Sequence, residues 1–280
     1  MAKLGTYAFL NGTIILSHKA TIHCYDLGLM RGLAVFDFLR FKNSKAIFLK
    51  EHIDRLFNSA KLFNIPPVFS KEEYVKAIVD LIQKNKQKDG TVRIILSAGP
   101  VTDGFSITAP QIIILVEPYY ELPEIYFQKG TKIITLPYER PFASAKHTNY
   151  STAGIHDKKK KAAKAIEILY VDAKGFVREP STSNICMIKK GVLYTPKSNV
   201  LGGITLIHIL KCAKKLGIKT VVKDFTLKEL LNADEVFLTA TNKDALPIVK
   251  IDNSTISNGK PGEYTRTILE CYRALINSTN

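Results

Sequence analysis

Five short segments of this chain place reactive or charged side chains beside residues that shape the backbone. They are Glu51-His52-Ile53-Asp54-Arg55-Leu56, Lys146-His147-Thr148-Asn149-Tyr150, Gly175-Phe176-Val177-Arg178-Glu179 running on to Ser183-Asn184, Leu201-Gly202-Gly203-Ile204-Thr205, and Phe237-Leu238-Thr239-Ala240-Thr241 with Pro247 downstream. Gly203-Ile204-Thr205 opens a helix, so its free N–H groups and dipole face an anion, and Thr205 adds a hydroxyl. Arg55 can grip phosphate oxygens in a bidentate fork, or it can form an ion pair with a neighbour such as Glu51. Taken alone, Lys146 reads as one surface lysine among many and Glu179 as a strand-end charge. Tyr150 alone reads as a core tyrosine with a satisfied hydroxyl, and Leu201 as core packing.

Hydrophobic periodicity supplies the scaffold for these segments. Residues 6–16 pattern as a hairpin around Asn11-Gly12, a favoured tight-turn pair. Val35 to Phe41 reads as a strand, Lys42-Asn43-Ser44-Lys45 as a turn and Ala46 to Leu49 as the return strand. A helix near Glu51 to Phe63 ends before Pro66-Pro67. Ser70-Lys71-Glu72-Glu73 is a capping box, and Tyr74, Ile78, Leu81 and Ile82 form the apolar face of the helix it opens. Strands follow at Val92 to Ser97 and Ile112 to Glu117, and Pro118 to Pro123, with two prolines and no periodicity, reads as a linker.

The second half is also mixed. Lys132 to Pro137 is a strand, and a lysine-rich helix covers roughly Thr152 to Ala165. Ile168 to Val171 and Phe176 to Arg178 flank a turn, as do Ile185 to Ile188 and Val192 to Tyr194. A helix starts near Ile204 and stops at Gly217, and Thr226-Leu227-Lys228-Glu229 is another capping box. Val236 to Thr239 is a strand, and the last helix runs roughly from Glu263 to Ile276. Hairpins and helices without regular βαβ alternation give an α+β fold: an N-terminal domain over 1–118, a linker over 119–125 and a C-terminal domain over 126–280.

The bulk numbers exclude several classes. The chain has 280 residues, 46% hydrophobic and 23% charged, which is globular composition with enough length for a core without disulfides. Cys24, Cys186, Cys212 and Cys271 show no metal-ligand or redox spacing, so no metal is expected, and sparse thiols suit the cytoplasm. No apolar run approaches the roughly 20 residues that span a bilayer, and the first residues lack the core of a signal peptide. The net charge of +15 attracts anions in general. Lys158-Lys159-Lys160-Lys161 reads as a solvated helix face, and the absence of helix-turn-helix, RNP and zinc-finger patterns argues against nucleic acid as a partner.

The five segments, in this order and spacing, resemble the class IV aminotransferases, a group that includes branched-chain aminotransferases, D-amino-acid transaminases and aminodeoxychorismate lyase. The shared pattern is a lysine with Asn-Tyr shortly after, Gly-x-x-x-Glu with Ser-x-Asn following, Leu-x-Gly-Ile-Thr, and a Thr-rich strand end; it covers about Tyr7 to Tyr272. The resemblance implies the two-domain fold type IV architecture, with pyridoxal 5′-phosphate as cofactor and most of its site in the C-terminal domain. It implies that Lys146 carries the cofactor as a Schiff base and moves the α-proton, and that Glu179 keeps the pyridine nitrogen protonated. Arg55, Ile204, Thr205, Ala240 and Thr241 would hold the phosphate, Leu201 would pack on the ring, Tyr150 would lie near the phenolic oxygen, and Asn184 would support them.

The resemblance also implies an amino acid and a 2-oxo acid as substrates. Arg31, Phe36, Arg93 and Arg178 are the substrate-binding candidates, in an arrangement similar to an atypical subgroup of D-amino-acid transaminases. Strand alternation sends Arg178 and Glu179 to opposite faces, which counts against Arg178 meeting the same ligand. The family packs as homodimers, in which Arg31 would reach the neighbouring subunit's cofactor. Departures fall in the substrate region. Leu206 stands where an arginine is usual, Phe36 where a tyrosine is common, and Glu139-Arg140 and Ser97-Ala98-Gly99-Pro100 where subgroup arginines are expected. The leading expectation is a transaminase acting on D-amino acids; the alternatives are an L-branched-chain aminotransferase, aminodeoxychorismate lyase, and a cofactor-free protein that binds nucleic acid through its basic surface.

Overall fold

The computed structural model describes residues 4–101 and 103–278. Two compact units emerge: the chain up to Tyr120 together with Ala145–Asn149, and Glu121–Ser144 together with Tyr150 onward. The division differs from a contiguous split at a 119–125 linker. The helix α4 (Glu124–Lys129) begins inside that stretch, and Ala145–Asn149 belongs with the first unit because its backbone bonds to a strand there.

In the first unit, Asn11 (φ 47°) and Gly12 (φ 98°) turn β1 (Tyr7–Leu10) back into β2 (Thr13–Leu16). Asp26 caps the short α1 (Leu27–Arg31), its Oδ1 accepting from Gly28 N–H at 2.8 Å. Then come β3 (Ala34–Lys42), β4 (Lys45–Ala46), α2 (Leu49–Leu62), α3 (Lys71–Asn85), β5 (Gly90–Ser97) and β6 (Gln111–Glu117). The return strand expected to reach Leu49 stops at Ala46, because Phe48 adopts a left-handed conformation (φ 53°) that starts α2. The sheet order is β2-β1-β6-β5-β3-β4. Val35, Leu39 and Phe41 of β3 face a core built with Ile53 and Leu56 of α2 and Ile78 and Leu81 of α3. Asp37 shares their parity, so this carboxylate enters the same layer.

The second unit runs from α4 through β7 (Thr131–Pro137), α5 (Ser151–Ile155), α6 (Asp157–Ala162), β8 (Glu167–Val171), β9 (Val177–Pro180), β10 (Asn184–Lys189) and β11 (Val192–Thr195). It continues through α7 (Ile204–Lys215), β12 (Lys219–Val222), α8 (Leu227–Leu231), β13 (Glu235–Ala240), β14 (Asp244–Ile251), β15 (Ser254–Thr255) and α9 (Glu263–Ser278). Strands order as β12-β11-β10-β13-β14-β7-β8-β9, with β15 on β14. Pairing is mixed: β7 runs parallel to both β8 and β14, while β10, β13 and β14 pair antiparallel. Both capping boxes form, at Ser70–Glu73 and Thr226–Glu229. Among the described residues no helix is long and apolar enough to cross a membrane, and no group of His, Cys, Asp and Glu could hold a metal ion.

Candidate active site

In the first unit the segment around Lys146 lies along the edge of β3. Phe36 N–H donates to the Lys146 carbonyl at 2.8 Å, Thr148 N–H donates to Ala34 O at 3.0 Å, and His147 bridges Val35. Lys146 N–H in turn donates to Ser59 Oγ of α2 at 3.0 Å. Both main-chain polar groups of Lys146 are therefore fixed, and its Nζ sits 4.6 Å from the Phe36 ring centroid. His147 stacks on Phe63, with ring centroids 5.4 Å apart.

On the face of β3 opposite Phe36 lies the fully buried Asp37. It accepts from Arg55 Nε and Nη2, each at 2.8 Å, from His52 Nδ1 at 2.6 Å and from Phe38 N–H at 2.7 Å. The i, i+3 spacing of His52 and Arg55 puts both on one face of α2. Burial alone would raise the Asp37 carboxyl pKa, but the charges and hydrogen bonds of Arg55 and His52 prevail and hold it well below the usual carboxylate range. His52 moves the other way from an exposed histidine in an ion pair: burial lowers its pKa more than Asp37 raises it, and Arg55 and Lys146 lower it further. An ionised Asp37 only accepts, so a neutral His52 carries its proton on Nδ1. Arg55 thus pairs with Asp37, a carboxylate that the adjacent strand buries.

In the second unit Glu179 is buried on β9. Its Oε1 accepts from Arg140 Nε at 2.9 Å and Nη2 at 2.6 Å; its Oε2 accepts from Leu201 N–H at 2.8 Å and Asn184 Nδ2 at 3.5 Å. Arg140 Nη2 also donates to Ala143 O at 2.6 Å. Asn184 Nδ2 donates to Leu201 O at 2.8 Å, so both main-chain groups of Leu201 are tied to this cluster. The connection into α7 passes directly over Asn184: a Cβ on Gly203 would lie 1.9 Å from Asn184 Oδ1. Among the described residues no side chain caps α7, whose first turn carries Ile204 and the buried Thr205. Tyr272 of α9 donates to Thr205 Oγ1 at 3.5 Å.

Thr239, opposite Asn184 in the β10–β13 ladder, shares its sheet face, and its buried Oγ1 has no hydrogen-bond partner among the described residues. Ala240 ends β13 and Thr241 follows in the turn to β14. Tyr150 precedes the first residue of α5 and accepts Gly154 N–H at 3.0 Å through its carbonyl. An uncapped helix start, an orphaned hydroxyl and a buried carboxylate held by an arginine are the donor and acceptor set that a phosphorylated pyridine aldehyde requires, so the residues fit that group.

The substrate candidates separate. Arg93 faces the same side of the sheet as Phe36, its Cζ 5.8 Å from that ring, and it forks onto Glu117 at 2.7 and 3.0 Å. Arg31 ends α1, exposed, with Cζ 5.8 Å from the Phe105 ring. Arg178, on the strand face opposite Glu179, is buried in an ion cluster with Asp172 at 2.5 Å and Asp224 at 3.3 Å, donating also to Ser198 O. Two carboxylates already neutralise it, so it is a tie between β9 and its neighbouring turns. Sequence reasoning missed Asp37, Ser59 and Arg140. The signal for Asp37 was an acid at a core-parity position of an apolar strand, and for Arg140 a guanidinium in the stretch leading to Lys146.

Comparison with known proteins identifies the family. The profile described as amino-transferase class IV matches residues 34–251. A Methanocaldococcus jannaschii protein, provisionally named a branched-chain-amino-acid aminotransferase, is 32% identical over 95% of this chain and 94% of its own. The D-alanine aminotransferase of Bacillus licheniformis is 31% identical over 92% of this chain and 93% of its own. Among solved structures, the T.th. branched-chain amino acid aminotransferase with pyridoxamine 5′-phosphate has a TM-score of 0.92 at 26% identity, covering 100% of this chain and 96% of that one.

Proposed function

The chain belongs to the class IV aminotransferase family, a pyridoxal 5′-phosphate-dependent aminotransferase, and we propose that it moves an amino group between a D-amino acid and a 2-oxo acid with Lys146 as the catalytic amine. Lys146 carries this reading, because its main chain is pinned at both polar groups while its amine rests on an aromatic face. Bound, the cofactor supplies an electron sink for the carbanion at the substrate's Cα. Lys146 Nζ would move a proton away from the substrate's Cα in one half-reaction and back to Cα in the other. Glu179, paired with Arg140, would accept from the cofactor's ring nitrogen and keep it protonated. Ile204, Thr205, Ala240 and Thr241 offer N–H and O–H donors to the phosphate, and Arg55 adds charge with its plane set by Asp37. Leu201 would pack on the ring and Tyr150 would lie near the phenolic oxygen, while Asn184 holds Leu201 and Glu179 in place.

Arg93 supports the D-amino-acid reading as an arginine on the Phe36 side of the sheet, beside the ring that Lys146 Nζ approaches. Arg31 and Phe36 complete the proposed substrate set, in a cytoplasmic homodimer. The L-branched-chain reading draws on the provisional name of the M. jannaschii relative and on the apolar Phe36 and Phe38 beside Arg93. Rates with D-alanine, L-leucine and aminodeoxychorismate, measured side by side, decide among them; turnover of the last alone would refute transamination. Borohydride reduction of the holoenzyme is expected to fix the cofactor on the peptide containing Lys146, and Lys146→Ala to abolish turnover. Retained transaminase rate in that variant would remove the assignment.

A further inference from the structure

Lys243 and Glu167 form an ion pair 3.0 Å apart, with only 6% and 2% of their surfaces exposed. A buried pair is a weak source of net stability and is strongly destabilising when halved, so its use here calls for a gain in arrangement. Lys243 closes the turn between β13 and β14: its N–H donates to Ala240 O at 3.0 Å, which leaves Thr241 and Asn242 as the central residues. Its Nζ also donates to Thr182 Oγ1 at 3.0 Å and to Asn242 Oδ1 at 3.4 Å.

Glu167 opens β8 and accepts from the hydroxyls of Ser181 and Thr182, and from Ser183 Oγ at 3.3 Å. Residues 181–183 are the whole connection between β9, which carries Glu179, and β10, which begins at Asn184. Burial would raise the Glu167 pKa, but Lys243 and the two shorter hydroxyl contacts outweigh it, so the group stays an anion and only accepts. One carboxylate therefore fastens two connections, each flanked by residues assigned to the cofactor.

We propose that Glu167 and Lys243 are positioning residues for the phosphate cradle, holding the Ala240–Lys243 turn against the 181–183 connection so that Ala240 N–H and Thr241 present their donors to the cofactor phosphate. The inference rests on the reading of Ala240 and Thr241 given under the proposed function. Neither residue of the pair touches the reacting atoms.

The test compares pyridoxal 5′-phosphate with pyridoxal, which lacks the phosphate, by titrating apoenzyme and following the cofactor's visible absorbance. Lys243→Met is expected to weaken pyridoxal 5′-phosphate binding on the order of tenfold, the low end of what loss of an outer-shell partner costs at metal sites, and to leave pyridoxal binding within about twofold. Lys243→Arg, which keeps charge and reach, should recover most of the loss. Equal weakening for both ligands, or none for either, would overturn the proposal. Should Lys243→Met fail to fold, the same comparison on Glu167→Gln with Lys243→Gln, which buries no unpaired charge, decides by the same ratio. Wild-type protein that binds neither ligand through Lys146 would take down the parent reading as well, whereas normal wild-type binding with an unchanged variant ratio removes this inference alone.

Discussion

A carboxylate with no exposed surface, facing a neutral histidine and an arginine, makes the Asp37 cluster a pH-sensitive point of the first unit. The folded pKa of His52 lies below its ordinary 6.5, so the unfolded chain binds the extra proton first as pH falls. The stability this group contributes is complete above 6.5 and is lost progressively as pH drops toward the folded value. Asp37 adds a second loss, starting near its ordinary 3.8 and running lower, because its folded pKa is also depressed. Melting temperature of the apoenzyme should therefore begin to decline as pH falls below the ordinary 6.5 of His52, above the carboxylate range. His52→Gln should flatten that first decline, and an unchanged slope in the variant would refute the assignment. The sequence displayed Arg55 and His52 one helical turn apart but not their partner. Asp37 lies across a strand-to-helix contact, and contacts of that range leave no trace in local spacing.

At the scale of elements, the two glycines that flank α7 separate packing from backbone effects. Gly203 has an ordinary extended conformation (φ −71°, ψ 126°), so any residue could adopt it; what forbids a side chain there is Asn184. Gly217 is the reverse: its φ is 75° and a Cβ would meet nothing within 4 Å. Gly217→Ala should cost about 1 kcal/mol through left-handed strain alone and leave cofactor binding intact. Gly203→Ala should cost roughly 1–3 kcal/mol by overpacking and also weaken pyridoxal 5′-phosphate binding, since it pushes on the residue that holds Leu201 and Glu179. Equal cofactor affinity in the two variants would contradict that coupling.

Elements with both a cap and a period were legible, including both capping boxes and α7. The helix expected over 152–165 is instead two short helices broken at His156, where Nδ1 lies 2.9 Å from Thr152 O. Asp157 restarts the second helix and pairs with Lys160 and Lys161, relieving the like-charge run. β14 was hidden by Pro247, which lacks the N–H that an interior strand residue contributes, yet sits in register opposite Phe237.

For the molecule as a whole, the proposed homodimer sets attraction at contact against repulsion at a distance. Exposed apolar side chains gather on and before α1, where Leu29 is 63% and Tyr25 57% exposed beside Ile22 and Met30. Burying such surface contributes about 25 cal/mol per Å², and it lies next to Arg31, the residue proposed to reach a second subunit. Opposing this, each chain carries a net charge of +15, and the repulsion between two such chains acts over a Debye length of about 8 Å at 0.15 M salt and about 30 Å at 0.01 M. Association should therefore tighten as salt rises, the opposite of an interface held by ion pairs. Light scattering is expected to give twice the 31.3 kDa chain mass, with dissociation favoured at low ionic strength. Leu29→Glu with Met30→Glu should yield monomer at any salt and lose transaminase activity while Lys146 remains reducible onto the cofactor. A wild-type chain that stays monomeric at micromolar concentration in high salt would defeat the dimer and, with it, the role of Arg31.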